Sequence, residues 1–156
     1  MSAQGTRRLF LAGPFKALVD KETGSIRDSD RIRFESLIDR LERDGYQVHN
    51  AHRREEWGTA FLTPEECTLL DFEEISGCDV FVAFPGAPAS PGTHIEIGWA
   101  SVLRKPILLL LEKGQEYAFL IQGLHTIADV HYLTVTAGED ITERVTAAVR
   151  AVENRG

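Results

Sequence analysis

The chain has few cysteines, fewer basic than acidic residues, and no long apolar run. Its two cysteines, Cys67 and Cys78, form no metal-ligand or redox spacing, and a reduced cytosolic state is the simple reading. Only 17 Lys and Arg stand against 24 Asp and Glu, a net charge of −7, which argues against a nucleic-acid backbone or an anionic membrane as main partner. A single phosphate can still be held by local groups, so a mononucleotide stays in view. The longest apolar run, Pro106 to Leu111, is far too short to span a bilayer. No secretory leader is visible, and we expect a cytoplasmic protein. Internal repeats, low-complexity tracts and linkers are also missing, so one domain over residues 1–156 is expected.

What the chain does have is apolar strands alternating with helical patterns. Arg8 to Pro14 reads as a buried strand ending in a Gly-Pro turn. Tyr46 to Asn50, Asp79 to Phe84, Pro106 to Leu111 and His131 to Val135 read as four more. Between them, Phe34, Leu37, Ile38 and Leu41 fall at helical spacing, with Gly45 closing that helix. Thr63-Pro64-Glu65-Glu66 opens another, with an N-cap threonine, a proline at the first helical position and a capping-box glutamate. Ile141, Val145, Ala148, Val149 and Val152 mark the apolar face of a closing helix. The pattern predicts an α/β fold, a doubly wound five-stranded parallel sheet of the flavodoxin or Rossmann-like sandwich type. Such sheets bind ligands at the carboxyl ends of their strands, near a switch in strand order.

One stretch stands out, Ala83 to Ala100. It leaves an apolar strand, crosses a loop of small residues, and enters a helix that carries Glu96 in its first turns. A helix N-terminus preceded by Gly and Ser offers backbone N–H groups to an anion. A carboxylate beside an anion site makes sense where the ligand also has an electrophilic carbon, as a sugar phosphate does.

Four pieces of the chain together resemble the nucleoside 2-deoxyribosyltransferase superfamily. They are Phe10-Leu11-Ala12-Gly13-Pro14-Phe15, the run Ala51 to Gly58, Asp71 eight residues before Asp79, and Ser90-Pro91-Gly92-Thr93-His94-Ile95-Glu96-Ile97-Gly98. Ala51-His52-Arg53-Arg54-Glu55, Trp57-Gly58, the Phe84-Pro85-Gly86 loop and Tyr117-Ala118-Phe119-Leu120 are similar to one branch in particular. That branch holds the CMP and 5-hydroxymethyl-CMP hydrolases of pyrimidine nucleoside antibiotic pathways.

The resemblance implies that Glu96 is the nucleophile at the anomeric carbon, forming a glycosyl-enzyme ester that water resolves to ribose 5-phosphate. Asp71 matches the aspartate that lies by the nucleophile and assists the leaving base. Ser90 and Gly92 match positions that bind the 5′-phosphate, and Gly13 belongs to the turn that borders the ligand. The superfamily's deoxyribosyltransferases usually carry a tyrosine at the position of Phe10; losing its hydroxyl makes a ribose 2′-OH easier to admit. Phe15 is placed to stack on a pyrimidine. Lys16 stands where the hydroxymethyl-CMP enzymes carry an arginine that reads the base substituent, and lysine lacks that planar fork, which favours unmodified CMP. His52 lies in a segment that borders the base.

Other residues keep two readings. Arg53 and Arg54 pair with Glu55, Glu56 or Asp71, or else with a ligand. His94 is a turn histidine or a site residue, and Asp79 is read as structural. In the relatives a hydroxyl residue from the neighbouring subunit reaches the phosphate. Ala118 falls at that position, so Tyr117 either replaces it or packs at a dimer contact, and a homodimer or larger assembly is expected. No set of His, Cys and carboxylate residues has the spacing of a metal site, and the implied chemistry needs no cofactor. Transfer of the glycosyl group to a second base is the alternative activity, and a non-catalytic nucleotide sensor is a third reading.

Overall fold

The computed structural model describes residues 5–14 and 20–155. Five strands form one parallel sheet: β1 (Arg7–Ala12), β2 (Tyr46–His49), β3 (Val80–Ala83), β4 (Ile107–Glu112) and β5 (Val130–Val135). Their order is β2-β1-β3-β4-β5, the doubly wound arrangement with its switch between β1 and β3. The five expected strands are all present, with boundaries shifted by a residue or two.

Alternation along each strand divides the core in two, because successive side chains point to opposite faces. Leu9 and Leu11 of β1 join Val82, Leu108 and Leu110 on one face, under α1 (Asp28–Arg43) and α6 (Thr142–Glu153). Phe10 and Ala12 join Phe81, Ala83 and Leu109 on the other, under α3 (Pro64–Gly77) and α4 (Pro91–Val102). The expected stripe on α1 is the buried one: Phe34, Leu37, Ile38 and Leu41. Gly45, with φ of +96°, reverses the chain into β2. Thr63 and Glu66 make the reciprocal capping box on α3, with Pro64 at its first position. Asp79 is structural as read, since its carboxylate accepts from Arg8 N–H at 2.7 Å and pins β1 against the entry to β3. No described helix is long and apolar enough to cross a membrane.

The polar run after β2 forms α2 (Ala51–Arg54), capped by the Asn50 side chain, and a tight 3-10 turn over Glu56–Gly58. Glu56 and Trp57 adopt left-handed backbone, φ 49° and 58°. This reversal folds the indole of Trp57 back into the α1 side of the core. A short α5 (Phe119–Gln122) follows β4.

Candidate active site

The site lies at the carboxyl end of the sheet, on the α3 and α4 side, around a cavity of about 510 Å³. The chain leaves β1 through Gly13 and Pro14. A Cβ at Gly13 would lie 3.1 Å from the Phe34 ring, so any side chain there would press that ring aside by a few tenths of an ångström. His52 braces this turn. Its ring stacks on Phe34 at 4.4 Å, and Nε2–H donates to the Pro14 carbonyl at 3.0 Å. Asn50 Nδ2 donates to His52 Nδ1 at 3.1 Å and to the Leu11 carbonyl at 3.0 Å, which assigns the tautomer. Burial pushes the His52 imidazole down to about 4, so it is neutral near pH 7. His52 also lines the cavity, as do Phe10 and Gly13.

The opposite wall is the start of α4. Gly86 takes φ +86°, and a Cβ there would lie 2.9 Å from the Pro88 carbonyl oxygen, so the loop after β3 closes only around glycine. Ser90 caps the helix, accepting from Thr93 N–H at 3.5 Å and from the Thr93 hydroxyl at 3.0 Å. His94 Nδ1–H donates to the Ser90 carbonyl at 2.6 Å, which makes it a turn histidine. A Cβ at Gly92 would meet no protein atom within 4 Å, and Gly92 lines the cavity. The first turn of α4 therefore presents an open rim of small residues with the N-terminal end of the helix dipole behind it.

Two carboxyl groups meet between these walls. Asp71 of α3 is buried, Glu96 of α4 is half-buried, and both line the cavity. Arg54 Nη2 donates to Asp71 Oδ1 at 2.5 Å, while its Nη1 donates to Glu74 Oε2 at 2.8 Å. Cys67 Sγ–H donates to Asp71 Oδ2 at 3.4 Å. Both Asp71 oxygens are thus engaged, one by a cation. Glu96 is the carboxyl that holds a proton. Burial, then the charge of Asp71 and a hydrogen bond with it, push Glu96 well above the ordinary carboxylate range, with Arg54 opposing weakly. A carboxylate and a carboxylic acid in contact can pass a proton between them, and this pair can do so in front of an electrophilic carbon.

The remaining expected residues distribute as follows. Phe10 is buried with its ring stacked on Phe81 at 5.7 Å. Phe15 and Lys16 lie outside the described residues. Tyr117 accepts from Glu112 N–H at 2.7 Å and lines a separate cavity of about 140 Å³ on the α1 side, with Arg33 and Phe84. Within one chain it is not brought to Glu96. Arg53 pairs with Glu42 at 2.7 Å rather than with the nearer carboxylates in sequence. Among the cavity residues with no reading as site residues from sequence are Glu55, Cys67 and Trp99. For two of them helical spacing held a signal, since Cys67 is one turn before Asp71 and Trp99 nearly one turn after Glu96.

Solved structures share this arrangement of the chain. The CMP N-glycosidase BcmB of Clostridium botulinum is 38% identical, with a TM-score of 0.67, over 90% of this chain and 99% of that one. BlsM, known from a solution structure, is 51% identical with a TM-score of 0.82, over 97% of this chain and 94% of its own. A conserved protein from Enterococcus faecalis V583 is 17% identical with a TM-score of 0.55, over 92% and 99% of the two chains, and shows the fold alone. No protein-family model matches the sequence, and no curated protein matches it. With a shared sheet, identities of this size and near-complete coverage, the chain belongs to the nucleoside 2-deoxyribosyltransferase superfamily, in its CMP N-glycosidase branch.

Proposed function

We propose that the protein hydrolyses the N-glycosidic bond of a pyrimidine ribonucleoside 5′-monophosphate, CMP foremost, to free base and ribose 5-phosphate. The observation that carries this reading is the Asp71–Glu96 pair set beneath the open rim of α4. The 5′-phosphate sits at the rim, taking the Ser90 hydroxyl and the N–H groups around Gly92. A phosphate held there supports a pose with the anomeric carbon over Glu96.

The chemistry needs one proton and one carboxylate, and the pair holds both. Before substrate binds, the proton is on Glu96, the carboxyl whose hold on it burial and Asp71 raise. As substrate enters it crosses to Asp71, leaving Glu96 as the nucleophile. A Glu96 oxygen bonds to the anomeric carbon while the carbon–nitrogen pair leaves with the base, which takes the proton from Asp71. Water then attacks the same carbon, giving its proton back to the pair and releasing ribose 5-phosphate. Phe10 carries no hydroxyl to crowd the 2′ position, which supports a ribose rather than a deoxyribose. Phe15 and Lys16 are proposed to hold the base, and His52 to hold the turn that carries them.

Val102, Phe119, Leu120 and Ile127 expose large apolar surfaces, and the reading includes a homodimer that covers them. The test is chromatography of free base after incubation with CMP, dCMP, UMP and cytidine, with Glu96→Gln as control. Cytosine from CMP, little from cytidine and none with the variant is the expected result. No base from any substrate would overturn the reading, and a new nucleotide on adding a second base would favour transfer.

A further inference from the structure

Glu55 is a carboxylate that the reaction above does not use. It closes α2, is 5% exposed, and lines the same cavity as Asp71 and Glu96. Its neighbour Arg54 turns away to Asp71 and Glu74. Among the described residues no Lys, Arg or His makes an ion pair with Glu55. Its carboxylate accepts one long hydrogen bond, from Leu62 N–H to Oε1 at 3.3 Å. Oε2 has no protein donor among the described residues, and it is not one of the atoms sealed off from open space.

A buried carboxylate without a cation is costly unless something else donates to it. Nearby, Thr63 and Glu66 pair with each other in the capping box and so offer Glu55 no donor. A buried acceptor left facing a cavity is therefore a place for a donor carried by the ligand.

Topology says which part of the ligand. α2 follows β2 and α4 follows β3, with β1 between them in the sheet. The cavity's two walls stand on either side of β1, with the phosphate rim on the α4 side and Glu55 on the α2 side. With the anomeric carbon held at the pair, the base is the group left to occupy the Glu55 wall. Cys67 lines the cavity too; burial first, then the charge of Asp71 and the hydrogen bond to it, hold its thiol protonated, with Glu55 adding to them.

We propose that Glu55 reads the base, its carboxylate accepting a hydrogen bond from an exocyclic amino group. The inference rests on the glycosidase reading for the direction of the ligand. It assigns the site an amino-bearing base such as cytosine. Uracil would bring a carbonyl oxygen to the same place, leaving two acceptors face to face with no proton between them, and such mismatches discriminate strongly.

The experiment compares kcat/KM for CMP, UMP and dCMP in the wild type, Glu55→Gln and Glu55→Asp. The wild type is expected to prefer CMP over UMP by about tenfold or more. Glu55→Gln, whose amide can donate to a carbonyl, should bring that ratio to within about threefold, with the CMP to dCMP ratio unchanged. Glu55→Asp, which draws the carboxylate back by one methylene, should weaken CMP and leave UMP as it was. A CMP to UMP ratio unchanged in a folded Glu55→Gln protein would overturn the proposal. So would loss of the CMP to dCMP preference alone, which would assign Glu55 to a ribose hydroxyl. Calorimetric titration of CMP and UMP into Glu96→Gln, with and without Glu55→Gln, reads the same preference without turnover. If the wild type released no base, the glycosidase reading would fall while this titration still decided the role of Glu55.

Discussion

At the residue scale, burial and then the charge of Asp71 push the Glu96 carboxyl up from its ordinary 4.5 to about 9. Between these two values the folded protein keeps a proton that the unfolded chain has released. Stability therefore falls as pH rises through that window. Glu96→Gln removes the dependence. We expect its melting temperature to exceed that of the wild type by a margin that widens from pH 5 to pH 8, measured by thermal melts in matched buffers. A margin constant with pH would show that Glu96 is not the protonated member of the pair. His52 works in the other direction: held neutral down to about 4, it withdraws stability as pH falls from its ordinary 6.5. That loss is common to both proteins and cancels in the difference. Activity should decline at high pH, where the pair loses the one proton the mechanism needs, and a pH profile of base release checks this.

At the element scale, the start of α4 separates a structural from a binding role. Ser90 caps the helix whether or not a phosphate is present. Ser90→Ala should cost about 1 kcal/mol of stability and also raise KM for the nucleotide. Gly92→Ala adds a methyl that touches no protein atom, and alanine favours a helix over glycine by about 1 kcal/mol. Its melting temperature should hold or rise while KM climbs, because the methyl enters the space proposed for the phosphate. An unchanged KM in Gly92→Ala would move the phosphate elsewhere. This helix and α3 were legible in sequence. Ser90-Pro91 and Thr63-Pro64 are local start signals, and caps act over three or four residues whatever the rest of the chain does. The Ala51 to Gly58 run was less so. Its conformation depends on non-local partners, among them the Phe34 ring against His52 and the core seat of Trp57.

At the scale of the whole molecule, Phe119 and Leu120 are 89% and 86% exposed, the most exposed of the large apolar residues described, with Val102 and Ile127 next. The homodimer proposed to cover them predicts a two-chain mass by sedimentation, shifting to one chain in a Phe119→Ser, Leu120→Ser double variant. A wild type that sediments as one chain would remove the dimer. The same assembly is the route by which Tyr117, remote from Glu96 in its own chain, would act on a neighbour's phosphate.

The sequence by itself determined the five strands, the helix starts, and the small-residue loop that aims α4. All of these rest on short-range periodicity and capping, and the parallel sheet follows from strands apolar on both faces. Only the tertiary structure decided which charges meet. Asp71 and Glu96 stand on different helices, and Arg54 reaches Asp71 from a third. Their contact is set by the packing of α2, α3 and α4 over the end of the sheet. Spacing along the chain carries no trace of that packing, nor of Glu55, buried with no ion pair among the described residues.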